Sequence, residues 1–405
     1  MLYDAYEVQR SLLAGASTLA NLSAGWLNNP ANPLSYSQMG PIVASALDVF
    51  AHASASRGKP DFGIETTIVE GKTVAVSEEI VLRKPFGQLK RFRREGIHGS
   101  PKLLMISPMS GHYATLLRGT VERMLPGHDV YITDWRDAKL VPLSDGRFDL
   151  DDYIDYLIAF MEAIGPGGHM LAVCQPSVPA FAAAALMSAD KHPCRPRTLT
   201  MMGGPIDTRR APTEVNTVAT QRPFAWFEQN VIATVPYLYA GAGRKVYPGF
   251  LQLAGFMAMN LGDHLTSHWE MFKHLVQGDG ESAEASKDFY DEYRAVCDMT
   301  AEFYLQTVDT VFQRHALPKG EMLHRGRRVD PAALRDVALF AIEGERDDIS
   351  GVGQTKAALD IATGLPAKLK RYHLAKGVGH YGIFHGSKWR DRIAPLVEEW
   401  IHRHG

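Results

Sequence analysis

Three residues of this chain have the types and settings needed to cleave an acyl bond: Cys174, Asp347 and His380. Cys174 stands in Ala172-Val173-Cys174-Gln175-Pro176, where an apolar strand-like run ends and an alanine-rich helical run begins at once. A cysteine on so sharp a turn sits at a helix N-terminus, a setting that favours thiolates. An imidazole could take the thiol proton, or stay charged beside the thiolate. A carboxylate could fix the imidazole tautomer and stabilise its charge. His380, in Gly379-His380-Tyr381-Gly382, and Asp347, in Glu343-Gly344-Glu345-Arg346-Asp347-Asp348, each follow a strand-like run. Asp348 competes for the acid role. Asp347 is preferred because Ile349 then turns back toward the next helix and Asp348 faces solvent. Alone, Cys174 could as well be a small buried hydrophobe, the common fate of a free cysteine.

Acyl transfer also needs two N–H donors for the developing oxyanion. Gln175, directly after the cysteine, would supply one. The other would come from Ser107-Pro108-Met109-Ser110-Gly111-His112. Pro108 has no N–H; Met109 is the first choice and Ser110 the second.

Other candidates carry less. His264 and His268 are spaced four apart, with His274 beyond, but lack the glutamate of the H-E-x-x-H zinc motif. Gly165-Pro166-Gly167-Gly168 precedes a strand and reads as a turn, not a phosphate cradle. Lys90-Arg91-Phe92-Arg93-Arg94 reads as a solvated strand edge, with an acidic surface as the alternative partner. Ser177 should point away from the turn. Cys194 falls in a loop and Cys297 in an expected helix. No metal site is expected.

Positioning these residues requires a parallel sheet. Strand-like runs at 103–106, 129–133, 169–173, 199–202, 337–342 and 369–374 alternate with helical runs near 115–125, 150–161, 179–187, 355–363 and 387–402. Strands alternating with helices imply a mostly parallel sheet with helices on both faces. Residues 61–207 and 336–405 would form this core, with short β-branched runs between 66 and 84 leading in. Residues 208–335 break the alternation and read as an aromatic, helical cap. Phe224, Trp226, Phe227, Tyr237, Tyr239, Tyr247, Phe250, Phe256, Trp269 and Phe272 there are expected to build the cap's core, a few of them lining an apolar groove. Residues 1–60 read as a helical extension in which Met39, Ile42, Val43, Ala46, Leu47 and Phe50 share one face.

Composition narrows the function. The chain has 405 residues with 43 Lys+Arg against 45 Asp+Glu, a net charge of −2 that gives no support to a nucleic-acid binder. Three cysteines make no disulfide framework and fit a reducing compartment. Asp4 and Glu7 fall where a secretory signal carries positive charge, and no long apolar run suggests a membrane span, so a cytoplasmic address is expected.

The turn at Cys174 resembles the nucleophile elbow of α/β-hydrolases, usually G-x-S-x-G, with cysteine in place of serine and with Ala172 and Pro176 in place of the glycines. The chain order cysteine, aspartate, histidine follows that fold. Val173-Cys174-Gln175-Pro176-Ser177, Ile342-Glu343-Gly344-Glu345-Arg346-Asp347-Asp348-Ile349 and Gly377-Val378-Gly379-His380-Tyr381-Gly382, with Met1-Leu2-Tyr3 and Asp134-Trp135-Arg136, make the likeness specific. The chain resembles the cysteine-type intracellular poly(3-hydroxybutyrate) (PHB) depolymerases. The resemblance implies an α/β-hydrolase fold, a triad of Cys174, Asp347 and His380, and amorphous polyester granules as substrate, with a granule-coat protein as the acidic partner the basic run 90–94 would then touch. It further implies a thioester acyl-enzyme, release of 3-hydroxybutyrate or oligomers, and no cofactor. Coenzyme A would be an acyl acceptor in some members. Polyester synthases are more distant relatives with the same three residues. Their elbow keeps the glycine replaced here by Pro176, which weighs against synthesis. A granule-binding homologue without turnover is the remaining reading.

Overall fold

Strands that are apolar on both sides decide the centre of the molecule. The computed structural model describes residues 2–37, 39–54, 58–259 and 295–405. The chain opens with helices α1 (Leu2–Leu27) and α2 (Gly40–Ser54). Strands β1 (Thr66–Val69), β2 (Lys72–Lys84), β3 (Gly87–Arg94) and β4 (Lys102–Ile106) follow. Next come α3 (Arg118–Met124), β5 (Asp129–Trp135), α4 (Leu150–Ile164), β6 (His169–Val173), α5 (Ser177–Ala189) and β7 (Thr198–Met202). After an excursion, β13 (Ala338–Gly344) and β14 (Lys370–Ala375) complete the sheet.

The nine strands lie in the order β1-β2-β3-β5-β4-β6-β7-β13-β14. From β5 to β14 every neighbour is parallel, and β1, β2, β3 and β5 pair antiparallel. The exchange of β4 and β5, with an antiparallel lead-in, is the α/β-hydrolase arrangement that the sequence leads one to expect. Period-two alternation splits each parallel strand between two cores. Leu104, Ile106, Met170, Ala172, Leu339 and Ala341 face the core under α4 and α5, whereas Leu103, Met105, Leu171, Val173, Phe340 and Ile342 face the core under α3 and the C-terminal helix. Truncating one of these leucines, isoleucines or methionines to alanine would cost about 2–5 kcal/mol.

Between β7 and β13 the described residues form α6 (Glu214–Gln221), α7 (Phe224–Asn230), β8 (Ala233–Thr234), β9 (Lys245–Tyr247), α8 (Gly249–Met259), β10 (Met299–Thr300), α9 (Ala301–Thr307), β11 (Leu323–His324) and β12 (Arg327–Arg328). The expected helical cap therefore also carries a small antiparallel sheet, β10-β9-β8. Cys297 lies in an extended stretch before β10 rather than in a helix, its amide bonded to the Gly111 carbonyl at 2.7 Å. His264, His268, His274, Trp269 and Phe272 lie outside the described residues.

The basic run 90–94 is not a sheet edge. It forms the C-terminal part of β3, which is flanked by β2 and β5. Arg91 grips Asp129 with two nitrogens at 2.9 and 3.1 Å, Arg93 pairs with Glu79 at 3.0 Å, and Lys90 pairs with Glu78. Lys90, Arg91 and Arg93 are thus each paired with a carboxylate of a neighbouring strand.

Candidate active site

Strand β6 ends at Val173 and α5 starts at Ser177, leaving a three-residue reversal. Cys174 takes φ +66°, in the left-handed region. A side chain enters that region at a cost of roughly 1–2 kcal/mol. The backbone is pinned on both sides: the Cys174 amide donates to the Met202 carbonyl at 2.7 Å, and its carbonyl accepts the Ser177 amide at 3.0 Å. Cys174 is half-buried, whereas Cys194 and Cys297 are buried. Burial, and then the charges of Asp137 and Asp298, push the Cys297 thiol far up, so it is held protonated. Ser177 is fully buried against Gly204, where a Cβ would lie 2.1 Å from its Oγ.

Two loops beyond the C-terminal ends of β13 and β14 bring the acid and the imidazole together. They are zipped by the Glu345 amide on the Ala375 carbonyl (3.0 Å) and the Arg346 amide on the Val378 carbonyl (2.9 Å). His380 Nδ1 lies 2.8 Å from Asp347 Oδ2. A carboxylate only accepts, so Nδ1 carries the proton. Asp347 Oδ1 accepts the amides of Ile349 (2.9 Å) and Ser350 (2.8 Å). Asp348 is exposed, so of the two adjacent acids it is Asp347 that meets the ring. Burial pulls the His380 pKa down, but the charges of Cys174 and then Asp347, with the Asp347 hydrogen bond, outweigh it and hold the pKa well above its usual value.

The loop after β4 supplies the N–H side. Ser107 is clamped to β5: its amide donates to Thr133 Oγ1 (2.9 Å) and its hydroxyl to the Thr133 carbonyl (2.6 Å). Its carbonyl accepts the Trp135 indole N–H at 2.9 Å and the Tyr153 hydroxyl at 3.3 Å. This fixes the start of the segment carrying Met109 and Ser110. The Met109 amide points across at Gln175, donating to its side-chain Oε1 at 3.3 Å.

Met109, Ser110, Cys174 and Gln175 all line one cavity of about 450 Å³. Its far walls come from α6, α7, α8 and α9, through Val215, Val218, Phe227, Phe303 and Tyr304. Of the aromatics expected to line a groove, Phe227 and Tyr247 do so. Tyr239 and Phe250 pack in a separate cluster with Tyr3, and Tyr237 is exposed. A half-buried cysteine and an imidazole–carboxylate pair at the mouth of a mostly apolar chamber suit an uncharged acyl substrate.

A family model described as PHB de-polymerase C-terminus matches residues 203–405. The chain belongs to that family. It is accordingly a carboxylic ester hydrolase. The matched region holds Gly203, Asp347 and His380, while Met109, Cys174 and Gln175 precede it and share the cavity lining with Gly203. A search of curated proteins returned no match. Among solved structures, a monoacylglycerol lipase of Paleococcus ferrophilus aligns at 13% identity and TM-score 0.43, over 76% of this chain and 97% of its own. The 2-hydroxy-6-oxo-6-phenylhexa-2,4-dienoate hydrolase of Rhodococcus sp. aligns at 11% identity and TM-score 0.42, over 81% and 99%. The thioesterase domain of a curacin biosynthetic pathway aligns at 13% and 0.42, over 81% and 99%.

Several members of this site escape sequence reasoning. Gly203, φ +60°, lies so close beneath the pair that a Cβ would sit 3.1 Å from His380 Cε1 and 3.2 Å from Asp347 Oδ2. Glu343, fully buried, receives the amides of Gly353 (2.8 Å) and Lys356 (2.9 Å) and the Tyr372 hydroxyl (2.8 Å), bracing the loop that bears Asp347. Phe303, Tyr304 and Phe312 line the chamber from the far end of the cap. The Gly203-Gly204-Pro205 stop was a visible signal, but it reads as an ordinary strand end.

Proposed function

We propose that the chain depolymerises poly(3-hydroxybutyrate) by cysteine acyl transfer. Cys174 is the nucleophile, His380 the general base and acid, and Asp347 the residue that orients the imidazole. The observation carrying this reading is Cys174 at φ +66° beside the His380–Asp347 contact of 2.8 Å. Cys174 attacks the ester carbonyl as a thiolate, paired with the His380 imidazolium. The carbonyl oxygen becomes an oxyanion held by the Gln175 and Met109 amides, with Ser110 the alternative to Met109. Collapse expels the polymer alkoxide, which takes the His380 proton and leaves a thioester on Cys174. Water, deprotonated by His380, attacks that thioester. The thiolate leaves, and the acid is released as 3-hydroxybutyrate or an oligomer. Binding the polymer requires the Met109–Gln175 side-chain contact to open, since that amide is then needed by the substrate.

The mostly apolar cavity supports an uncharged acyl substrate, and the family membership supports PHB as the polymer. Intracellular granules are the natural setting for such a substrate. The test is acid release from amorphous PHB granules by wild type and Cys174→Ala side by side. Release by wild type alone is expected. Equal release by a folded Cys174→Ala would overturn the nucleophile. Polymer formation from hydroxyacyl-CoA, with no release from granules, would replace hydrolysis by synthesis.

A further inference from the structure

The helical hairpin α1–α2 is built inside out for a protein in water. On α1, Val8, Leu12, Leu19, Leu22 and Trp26 recur at spacings of three, four and seven and are each more than half exposed. The opposite face, Ser17, Ala20 and Ala24, is buried together with Ala44 and Ala51 of α2. The face of α2 that the sequence marks as apolar is likewise turned outward, with Met39, Ile42, Val43 and Phe50 exposed. Small residues between helices and large apolar ones outside is the packing of helices surrounded by an apolar medium.

Two further observations say what that medium is. Residues 11–47 contain no Asp, Glu, Lys, Arg or His, in a chain that is 22% charged. Phosphate-bearing surfaces, whether lipid headgroup or nucleic acid, are gripped by cations, and there are none here. Polar side chains along the hairpin are satisfied locally. The hydroxyls of Ser11 and Thr18 donate to carbonyls four residues back at 2.9 and 3.0 Å, and Ser17 donates to the Ala51 carbonyl at 2.8 Å. Asn32 donates to the Trp26 carbonyl at 3.0 Å. No described helix is long and apolar enough to cross a membrane, so the hairpin lies on a surface. It is also tied beside the cavity. Tyr3 donates to Asp298 at 2.5 Å, and Tyr6 stacks on Phe250 at 3.9 Å. Phe250 belongs to α8, whose Gln252 and Gly255 line the chamber.

We infer that α1–α2 is a docking blade for the uncharged surface of the insoluble polyester. It presses the Val8–Trp26 stripe into the polymer and so presents the cavity to it. The inference rests on the PHB reading above, and a saturated polyester offers ester and methyl groups with no charge to be desolvated against the blade.

The test uses the full chain carrying Leu12→Gln, Leu19→Gln, Leu22→Gln and Trp26→Gln together. Sedimentation with protein-free amorphous PHB granules reads binding, and hydrolysis of a soluble 3-hydroxybutyrate trimer reads the active site. Granule binding and granule hydrolysis should fall at least about ten-fold while trimer turnover stays within about two-fold. If the fourfold variant loses trimer turnover, Leu12→Gln with Leu22→Gln is used under the same criterion. Unchanged granule binding with normal trimer turnover overturns the inference and leaves the PHB reading intact. Conversion of a dimer to a monomer with unchanged granule binding overturns it in favour of a second copy. Binding to phosphatidylcholine vesicles as tight as to granules overturns it in favour of a lipid surface. Blade-dependent granule binding by a wild type that cleaves neither substrate would support the docking role and sink the PHB hydrolase reading instead.

Discussion

Asp347 meets His380 at 2.8 Å through one carboxylate oxygen and holds the Ile349 and Ser350 amides with the other. The acid is thus locked by its own loop before it touches the ring. Asp347→Asn keeps the size but can present an N–H to Nδ1, favouring the wrong tautomer. The expected result is a fall in kcat of roughly 10³–10⁴-fold with KM little changed. Asp348→Asn, at an exposed position, should stay within about two-fold of wild type. Steady-state kinetics on a soluble 3-hydroxybutyrate ester check both.

His380 gives a pH signature. Its pKa is raised in the folded chain, the charge of Cys174 being the largest raising influence. The folded state therefore binds its proton more tightly than the unfolded state, whose value is about 6.5. The resulting stabilisation is fully present below about pH 6.5 and is lost as pH rises through the raised folded value. Cys174→Ala removes that raising influence and should move the His380 titration downward. NMR of the imidazole would read this directly. A Cys174→Ala protein whose His380 titrates at or above the wild-type value would contradict the ion-pair account.

Gly203 should tolerate no side chain. Alanine there must adopt φ +60° and place its Cβ 3.1 Å from His380 Cε1. Loss of about ten-fold or more in kcat/KM is expected, with destabilisation of about 1–2 kcal/mol. Gly25→Ala is the control: it lies within α1, and a Cβ there meets nothing within 4 Å. That change should leave turnover of the soluble ester alone and stabilise by about 0.5–1 kcal/mol. Chemical denaturation and soluble-ester kinetics on both variants decide the matter.

Trp135 acts on the chemistry from a distance. Its indole N–H holds the Ser107 carbonyl at 2.9 Å, and Ser107 begins the loop that carries Met109. Trp135→Phe removes that donor and leaves a small void among Phe148, Tyr153 and Tyr156. Destabilisation of about 1–3 kcal/mol is expected. A purely structural role would stop there. A positioning role predicts in addition that kcat falls several-fold while KM holds, because a displaced oxyanion donor is missed only where charge develops, in the transition state.

These contacts also show what the sequence made legible. The parallel strands stood out because both faces are buried, so β4, β6 and β13 carry continuous apolar runs and β7 is interrupted only by threonines. Strand β3 did not, because its residues alternate between buried Leu89 and Phe92 and charged partners of Glu79 and Asp129. Cys174, Asp347 and His380 were legible since each follows a strand, where a parallel sheet gathers its loops at one edge. Gly203 and Glu343 were not, because their work is done through contacts across the loop cluster that leave no local pattern. The outward stripe of α1 was hidden for a different reason: helical periodicity marks an apolar face but does not say which way it turns.

The central claim is that Cys174 carries the acyl group. It is tested most directly by mixing the enzyme with a chromogenic 3-hydroxybutyrate ester, quenching in acid during the first turnover and mapping the acylated peptide by mass spectrometry. The account predicts a thioester on the peptide containing Cys174, removable by hydroxylamine and absent in Cys174→Ala. An acyl group on any other residue, with full turnover in Cys174→Ala, would contradict it.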